Sequence, residues 1–132
     1  MKYIVDTDIL IYFLKNNEKV VESFSKINDK NVFTTIINYT ELLFGAYNSL
    51  KVEQNLRKFK SFLKTINILD FDKEAAEHYA RIKAKLKREG NLIADMDLLI
   101  ASICLAKKYV FVTNNTRHFS RIENLTIENW SQ

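Results

Sequence analysis

The sequence predicts one α/β domain in which helices cover both faces of a mostly parallel sheet. Short runs of β-branched and aromatic residues recur along the chain, and segments with helical spacing of apolar residues separate them. Parallel neighbours require a crossover connection that is usually a helix. The 132 residues are 47% hydrophobic and include no proline and only two glycines, which leaves little linker sequence. A single domain spanning residues 1–132 is therefore expected.

Four segments are predicted to be strands, since each is short, rich in β-branched or aromatic residues and bounded by Asn, Asp or Lys. They are KYIVD (2–6), NVFTT (31–35), TINIL (65–69) and YVFVT (109–113). Amphipathic helices are predicted where apolar residues recur every three to four positions. These segments are 20–27, 39–50, 52–63 and 75–86. The segment DLLIASICLA (97–106) is apolar almost all round and is predicted to be a buried central helix.

Charge and composition narrow the class of protein. The net charge is +4 and the isoelectric point is about 9.1, a balance that favours polyanionic or acidic partners. No run approaches the roughly 18 apolar residues of a membrane helix, and the N-terminus lacks signal-peptide features, so a cytoplasmic protein is expected. The single cysteine, Cys104, lies in an apolar run and is predicted to be a reduced packing residue.

Polar residues follow the first and fourth predicted strands. Asp6 and Asp8 come after KYIV, and Thr113, Asn114 and Asn115 come after YVFV. Open parallel sheets bind ligands outside the carboxyl ends of their strands. We therefore expect the functional site at this edge.

Three further acids interrupt apolar helical patterns. Glu41 shares a narrow polar face with Asn38 and Gly45, and it points either to solvent or into a cleft where Gly45 permits close backbone approach. Asp95 and Asp97 introduce the central helix. Positions i and i+2 lie about 200° apart on a helix, so both cannot share a face. Asp95 is assigned to helix capping and Asp97 to the site.

Asp6, Glu41 and Asp97 could converge at one place. At about 5 Å separation and an effective dielectric constant of about 20, their mutual repulsion costs on the order of 10 kcal/mol. This rivals the roughly 5 to 15 kcal/mol stability of a domain, so one acid must take a proton or a divalent cation must lie among them. Oxygen ligands favour Mg²⁺ or Mn²⁺. The sequence thus predicts metal-assisted phosphodiester hydrolysis.

Four motifs in order resemble the PIN domains, most closely the VapC-type ribonuclease toxins. YIVDTDILIYFLK is similar to the opening strand with its first catalytic Asp, which falls on Asp6. TTIINYTELLFGA and DLLIASICLA resemble the segments whose acids fall on Glu41 and Asp97. VFVTNNTRHF resembles the fourth motif, with Thr113 and Asn115, and LTIENW resembles the closing strand. The resemblance covers nearly the whole chain and implies a three-layer PIN-like sandwich.

The resemblance implies an endoribonuclease that cuts tRNA or another structured RNA with Mg²⁺ or Mn²⁺. It also implies a homodimer and a VapB-like antitoxin that silences the enzyme. Asp6 and Asp97 would hold the ion, Glu41 would hold it or its waters, and Thr113 and Asn115 would orient water or phosphate. Five bulky aromatic residues either complete the core or form surfaces for protein partners: Tyr12, Phe13, Phe44, Tyr47 and Phe62.

Two residues depart from the family pattern. Asn115 is neutral where many PIN domains have an acid, which favours one ion over two. Asp8 stands where related toxins often have Asn, so it either supplies an extra carboxylate to the site or bonds to nearby backbone, and the second role is favoured. Arg117 and Arg121 follow the fourth motif and are predicted to contact RNA phosphates, whereas His118 is expected to be a packing or hydrogen-bonding residue.

Two other interpretations stand beside this one. A catalytically silent PIN-like module would bind RNA or a partner without cutting, and it should bind RNA equally well without a divalent ion. A haloacid-dehalogenase-type phosphatase would use Asp6 as nucleophile and Asp8 as general acid. The second is disfavoured because too little chain follows Thr113 for its later motifs, and because Glu41 and Asp97 would have no role.

Overall fold

A five-stranded parallel sheet forms the centre of the protein, whose computed structural model describes residues 1–132. The strands are β1 (Tyr3–Val5), β2 (Val32–Thr35), β3 (Asn67–Leu69), β4 (Val110–Val112) and β5 (Ile127–Glu128). Their order is β3-β2-β1-β4-β5, and every neighbouring pair is parallel. All predicted strands are present, and the α/β class is confirmed.

Seven helices connect the strands and cover the sheet. They are α1 (Thr7–Leu14), α2 (Glu18–Ser25), α3 (Ile36–Tyr47), α4 (Val52–Leu63), α5 (Lys73–Arg88), α6 (Asp95–Lys107) and α7 (Thr116–Phe119). The sequence had left α1 and α7 without a helical assignment. In α1 the continuous apolar run ILIYFL carries no helical period, and periodicity alone cannot identify such a segment. None of these helices has the length and apolar character needed to cross a membrane.

The hydrophobic core has two parts, one on each face of the sheet. Successive strand residues point to opposite faces, so Ile4 of β1 packs into one part and Val5 into the other. The first part is filled largely from α6, and the second from α1, α2, α3 and α4. This arrangement confirms the predicted three-layer sandwich.

Helix α6 is the central buried helix that its sequence predicts. Residues 100–104 are all buried, and Ser102 satisfies its hydroxyl by donating to the carbonyl of Leu98 at 2.7 Å. Cys104 is a free, buried thiol, as expected, and burial raises its pKa well above the ordinary value. Asp97 lies in the first turn of α6, directly before this buried segment.

Candidate active site

The candidate site lies at the carboxyl edge of the two central strands. Val5 of β1 is in register with Val112 of β4, so the residues that follow them, Asp6 and Thr113, are neighbours. The backbone N–H of Asp6 donates to the carbonyl of Val112 at 2.8 Å. The sequence had predicted this edge from strand exits alone.

Asp6 is the most constrained carboxylate of the site. Its side chain caps α1, and Oδ1 accepts from the backbone N–H of Thr7 and from Nδ2 of Asn38, both at 2.9 Å. Oδ2 accepts from the hydroxyl of Thr113 at 2.7 Å. Burial and the nearby charge of Asp8 nevertheless raise the pKa of Asp6 from 3.8 to about 7. The hydrogen bonds therefore orient the carboxyl group without fully offsetting its desolvation.

Helix α3 supplies a second carboxylate through a chain of hydrogen bonds. Oε1 of Glu41 accepts from the hydroxyl of Thr7 at 2.6 Å, and that hydroxyl in turn accepts from Nδ2 of Asn38 at 2.9 Å. Burial raises the pKa of Glu41, the Thr7 bond opposes this, and the charges of Asp97 and Asp8 add to it. Glu41 thus faces the cleft, the second of the two positions left open by its sequence.

Asn38 is a positioning residue that the sequence did not single out. It is fully buried, its Oδ1 accepts from the Thr35 hydroxyl at 2.7 Å, and together they form the capping box of α3. Its amide nitrogen then reaches both Asp6 and Thr7. The available signal was the polar face that Asn38 shares with Glu41 one helical turn away. A cap of α3 therefore also fixes the acids.

Asp8 makes the backbone contacts expected of it. Oδ1 accepts from the N–H of Ile9 at 2.7 Å, and Oδ2 accepts from the N–H of Asn114 at 3.1 Å. The second bond joins the start of α1 to the loop after β4. Burial raises the pKa of Asp8, the two backbone bonds oppose this, and the charge of Asp97 adds to the increase. Asp8 therefore has a structural role and also belongs electrostatically to the group of acids.

Asp97 lies in the first turn of α6 with its side chain 22% exposed. Its Oδ2 is 3.5 Å from Nδ1 of His118, and the same Nδ1 is 3.0 Å from Nδ2 of Asn115. The backbone N–H of Asn115 donates to the Thr113 hydroxyl at 3.0 Å. His118 is thus a neighbour of the site, and of the two roles expected of it, packing or hydrogen bonding, it has the second.

We refer to Asp6, Asp8, Glu41 and Asp97 as the acidic cluster. Each of the first three feels the charge of at least one other member, which raises its pKa. No three His, Cys, Asp or Glu side chains stand close enough together to form a ready-made metal-ligand shell. The arrangement concentrates negative charge in a partly desolvated cleft and keeps its geometry through neutral donors.

Two expectations about neighbouring residues are wrong. Asp95 does not cap α6, because Ala94 occupies the cap position and Asp95 is already helical. Its carboxylate instead accepts from Lys83 at 2.8 Å and from the Tyr79 hydroxyl at 3.1 Å, which ties α6 to α5. Gly45 is exposed, and a Cβ atom there would meet nothing within 4 Å, so no close backbone approach requires a glycine.

The two predicted RNA-binding arginines lie in different places. Arg117 is exposed on α7, the helix that also carries His118. Arg121 donates from Nη1 to the carbonyl of Leu92 at 3.3 Å and lines a cavity whose wall includes no member of the acidic cluster. The structure therefore brings Arg117, but not Arg121, onto the helix next to the site.

Comparisons with known proteins agree on one family. The sequence model of the PIN domain family matches residues 3–125 of this chain. The tRNA(fMet)-specific endonuclease VapC of Shigella flexneri is 34% identical over 131 residues, covering 99% of each chain. Ribonuclease VapC2 of Haemophilus influenzae is 35% identical over 130 residues, covering 98% of each.

The fold gives the same result. The crystal structure of VapBC2 from Rickettsia felis bound to a promoter DNA fragment contains a chain that superposes with a TM-score of 0.91 at 34% identity. The match covers 98% of this chain and 99% of that one. On sequence and structure alike, this protein belongs to the PIN domain family and, within it, to the VapC ribonucleases.

Proposed function

We propose that this protein is the toxin of a toxin–antitoxin pair and that it cleaves structured RNA in a reaction that depends on Mg²⁺ or Mn²⁺. The observation that carries the metal dependence is the acidic cluster. The pKa values of Asp6, Asp8 and Glu41 are raised because these carboxylates are buried and lie near other negative charges. A divalent cation would relieve that repulsion and offset the desolvation.

The donor set fits a hard cation. The cluster offers only carboxylate oxygens, which suit Mg²⁺ and Mn²⁺ better than zinc. Mg²⁺ keeps several of its own waters and needs only one or two direct carboxylates, so a ready-made shell of three side chains is not required. Asp6 and Asp97 would hold the ion directly, and Glu41 would hold it or its waters. Such an ion supplies an activated water and charge stabilisation at the phosphodiester.

The neutral side chains would place the substrate. The Thr113 hydroxyl donates to Asp6 Oδ2 and accepts from the N–H of Asn115, so it is fixed in a buried position beside Asp6. Thr113 and Asn115 would orient the attacking water or the scissile phosphate. Arg117, exposed on the adjacent α7, would contact a neighbouring phosphate of the RNA.

The proposed substrate is tRNA, with the initiator tRNA as the first to test. The relative from Shigella flexneri carries tRNA(fMet) specificity in its name, and it matches this chain over nearly its full length. The net charge of +4, on a chain that includes the acidic cluster, supports a polyanionic substrate.

The proposed partner is a VapB-like antitoxin, and the toxin itself is proposed to be a homodimer. Similar chains are found in VapBC complexes. Of the five aromatic residues noted in the sequence, Tyr12, Phe13 and Phe62 pack against the core, whereas Phe44 and Tyr47 are 67% and 62% exposed. These last two lie on α3 and form an apolar surface available to a partner. Phe44→Ser with Tyr47→Ser should weaken co-purification with the product of an adjacent antitoxin reading frame, or convert a dimer to a monomer.

The decisive experiment is cleavage of total RNA and of a tRNA(fMet) transcript by purified, partner-free protein. It compares Mg²⁺, Mn²⁺ and EDTA, and it includes Asp6→Asn. Discrete fragments that require both the ion and the acid would support the proposal. Intact RNA, together with RNA binding that is unaffected by EDTA and by the substitution, would instead indicate the catalytically silent binding module.

A further inference from the structure

The largest cavity of the protein lies away from the acidic cluster. Its volume is about 820 Å³, and it opens at the amino ends of β1 and β4, where Lys2 and Val110 form part of the wall. The rest of the wall comes from α5, the end of α6 and residues 121–126 between α7 and β5. Because β1 and β4 are parallel, this cavity and the acidic cluster lie at opposite ends of the sheet.

The cavity wall is strongly basic. Five cationic side chains line it, against two carboxylates, Glu89 and Glu123. The cations are Lys2, Arg81, Lys85, Lys108 and Arg121. Lys85 pairs with Glu123 at 2.8 Å, and the other four cations form no ion pair. The wall therefore carries positive charge that the protein itself does not neutralise.

Two of the four unpaired cations, Arg81 and Arg121, are nevertheless held by contacts within the protein. Nη2 of Arg81 lies 2.8 Å from Nδ1 of His78, and Nη1 of Arg121 donates to the carbonyl of Leu92. Each contact uses one guanidinium nitrogen and leaves other N–H donors of the fork unused. A planar guanidinium with two parallel donors matches the oxygens of a phosphate group.

Compensation of helix dipoles does not account for this charge. Cations are favourable at helix C-termini, which explains Lys85 in the last turn of α5 and Lys108 at the end of α6. The effect decays within one turn. Arg81 lies about two turns before the end of α5, and Arg121 belongs to no helix. These two arginines therefore need another explanation.

Nine of the 19 residues that line the cavity are hydrophobic, and they restrict the kind of anion that fits. They include Ile82, Leu86, Leu105, Ile122 and Leu125. Sites for small molecules typically have volumes of about 300 to 1,000 Å³ and combine apolar walls with a few polar anchors. A bare phosphate ion would leave the apolar wall in water. A nucleotide has both a multiply charged phosphate and a flat, weakly polar base.

We propose that this cavity is a nucleotide-binding site in which Arg81 and Arg121 hold the phosphate and the apolar wall accepts the base. The nucleotide is either a free molecule or one unit of an RNA chain, since both present the same chemistry. The site uses no residue of the acidic cluster, so nucleotide binding here can be tested independently of the proposed ion-dependent cleavage.

Isothermal titration calorimetry on the full chain tests the proposal. The probes are adenosine 5′-monophosphate, inorganic phosphate and a 5′-phosphorylated 2′-O-methyl RNA oligonucleotide that resists cleavage, all in EDTA to suppress binding at the acidic cluster. The test variant is Arg81→Gln with Arg121→Gln. The control, Lys58→Gln with Lys64→Gln, removes the same charge from exposed positions that do not line the cavity. All four side chains belong to exposed residues, so folding should be unaffected.

The expected result is that nucleotide affinity falls at least about tenfold in the arginine variant and changes by less than about twofold in the control. Arginine-dependent binding of the oligonucleotide without binding of the mononucleotide would identify RNA as the source. The proposal is overturned if inorganic phosphate binds as tightly as the nucleotide. It is equally overturned if neither the mononucleotide nor the oligonucleotide binds. Equal losses of affinity in the arginine variant and the lysine control would also overturn it.

Discussion

Asp6 and Asp95 both lie at the start of a helix, yet the two regions treat a carboxylate in opposite ways. Asp6 caps α1 inside the acidic cluster, where burial raises its pKa to about 7. Asp95 begins α6 on the exposed α5–α6 surface, where the hydrogen bond from Lys83 lowers its pKa. The helix N-terminus is common to both, so it does not decide the outcome. Desolvation and the sign of the neighbouring charges decide it.

The two carboxylates differ in how much a cation would stabilise them. A carboxylate with an exposed cationic partner is satisfied by the protein and has little to gain from an ion. A carboxylate that is buried beside other carboxylates has an unmet need for positive charge. That is why the acidic cluster, and not the more numerous surface acids, is the place to expect a cation.

The largest expected effect is on cleavage. Asp97→Asn should abolish RNA cleavage because it removes a proposed ligand, whereas Asp95→Asn, two residues away on the same helix, should leave the rate close to that of the wild type. Fragments of the tRNA(fMet) transcript resolved on a denaturing gel measure both rates. Equal loss of cleavage in the two variants would mean that activity depends on the intact start of α6 and not specifically on the carboxylate of Asp97.

The next effect is on the pH dependence of folding. The folded protein keeps a proton on Asp6 up to about pH 7, whereas the unfolded chain releases it near pH 3.8. The folded form therefore binds more protons within this window, and the free energy of unfolding falls as the pH rises across it, by about 4 kcal/mol for this group.

Asp6→Asn removes that contribution and should give a flatter profile and higher stability at pH 8. A neutral amide can still accept from Asn38 and donate to the Thr113 hydroxyl, so the fold should persist. Urea unfolding between pH 4 and 8 in EDTA measures the profile. Identical slopes for the wild type and the variant would contradict the raised pKa of Asp6.

Divalent ions should stabilise the folded protein through the same cluster. At a concentration one hundred times the dissociation constant, a ligand that binds only the folded state adds about 2.7 kcal/mol to the free energy of unfolding. Mg²⁺ should therefore raise the melting temperature of the wild type, and much less that of Asp6→Asn. Ca²⁺-free buffer with EDTA is the reference. An equal increase in both proteins would place the ion elsewhere.

A smaller loss of stability and of cleavage rate is expected when the positioning residue Asn38 is replaced. Asn38→Ala takes donors from Asp6 and Thr7 and an acceptor from Thr35, all in a buried setting, and should cost about 1 to 3 kcal/mol. Cleavage should also slow, because Asp6 loses a fixed orientation. Asn55→Ala is the matched control, since that amide donates only to Ser49 in a part-buried position. Denaturant unfolding and initial cleavage rates are the two measurements.

The smallest effect belongs to the exposed pair on the α5–α6 surface. Lys83→Gln removes the partner that lowers the pKa of Asp95, and exposed ion pairs contribute little to stability. The pair is intact above the ordinary pKa of an aspartate and is lost as the pH falls through the lowered pKa of Asp95. The melting temperature at pH 7 should scarcely change. A loss of stability larger than that of Asn38→Ala would contradict the smaller contribution expected from the exposed α5–α6 surface.

Much of the fold and part of the site could be predicted from local patterns. The strands ending at Val5 and Val112 were evident because β-branched runs report burial on both faces, and both exits carry polar residues. Two short or continuously apolar helices, α1 and α7, were missed because neither shows an amphipathic period. The assignment of Asp95 failed for a related reason: a residue type that often caps a helix also pairs with a lysine, and sequence spacing does not distinguish the two.

The sequence by itself determined the α/β class, the order of the motifs and the placement of Asp6 and Asp97 at element ends, since these depend on neighbouring residues along the chain. Tertiary structure decided which side chains meet. Asp6 and Thr113 are 107 positions apart, and Asn38 lies 32 positions from Asp6. The contact of His118 with Asp97 and the basic cavity at the opposite end of the sheet arise in the same way. These contacts and the cavity wall join segments that are far apart in the sequence and become neighbours only in the folded chain. Burial of the acids where such segments meet raises their pKa values, and local sequence does not report that burial.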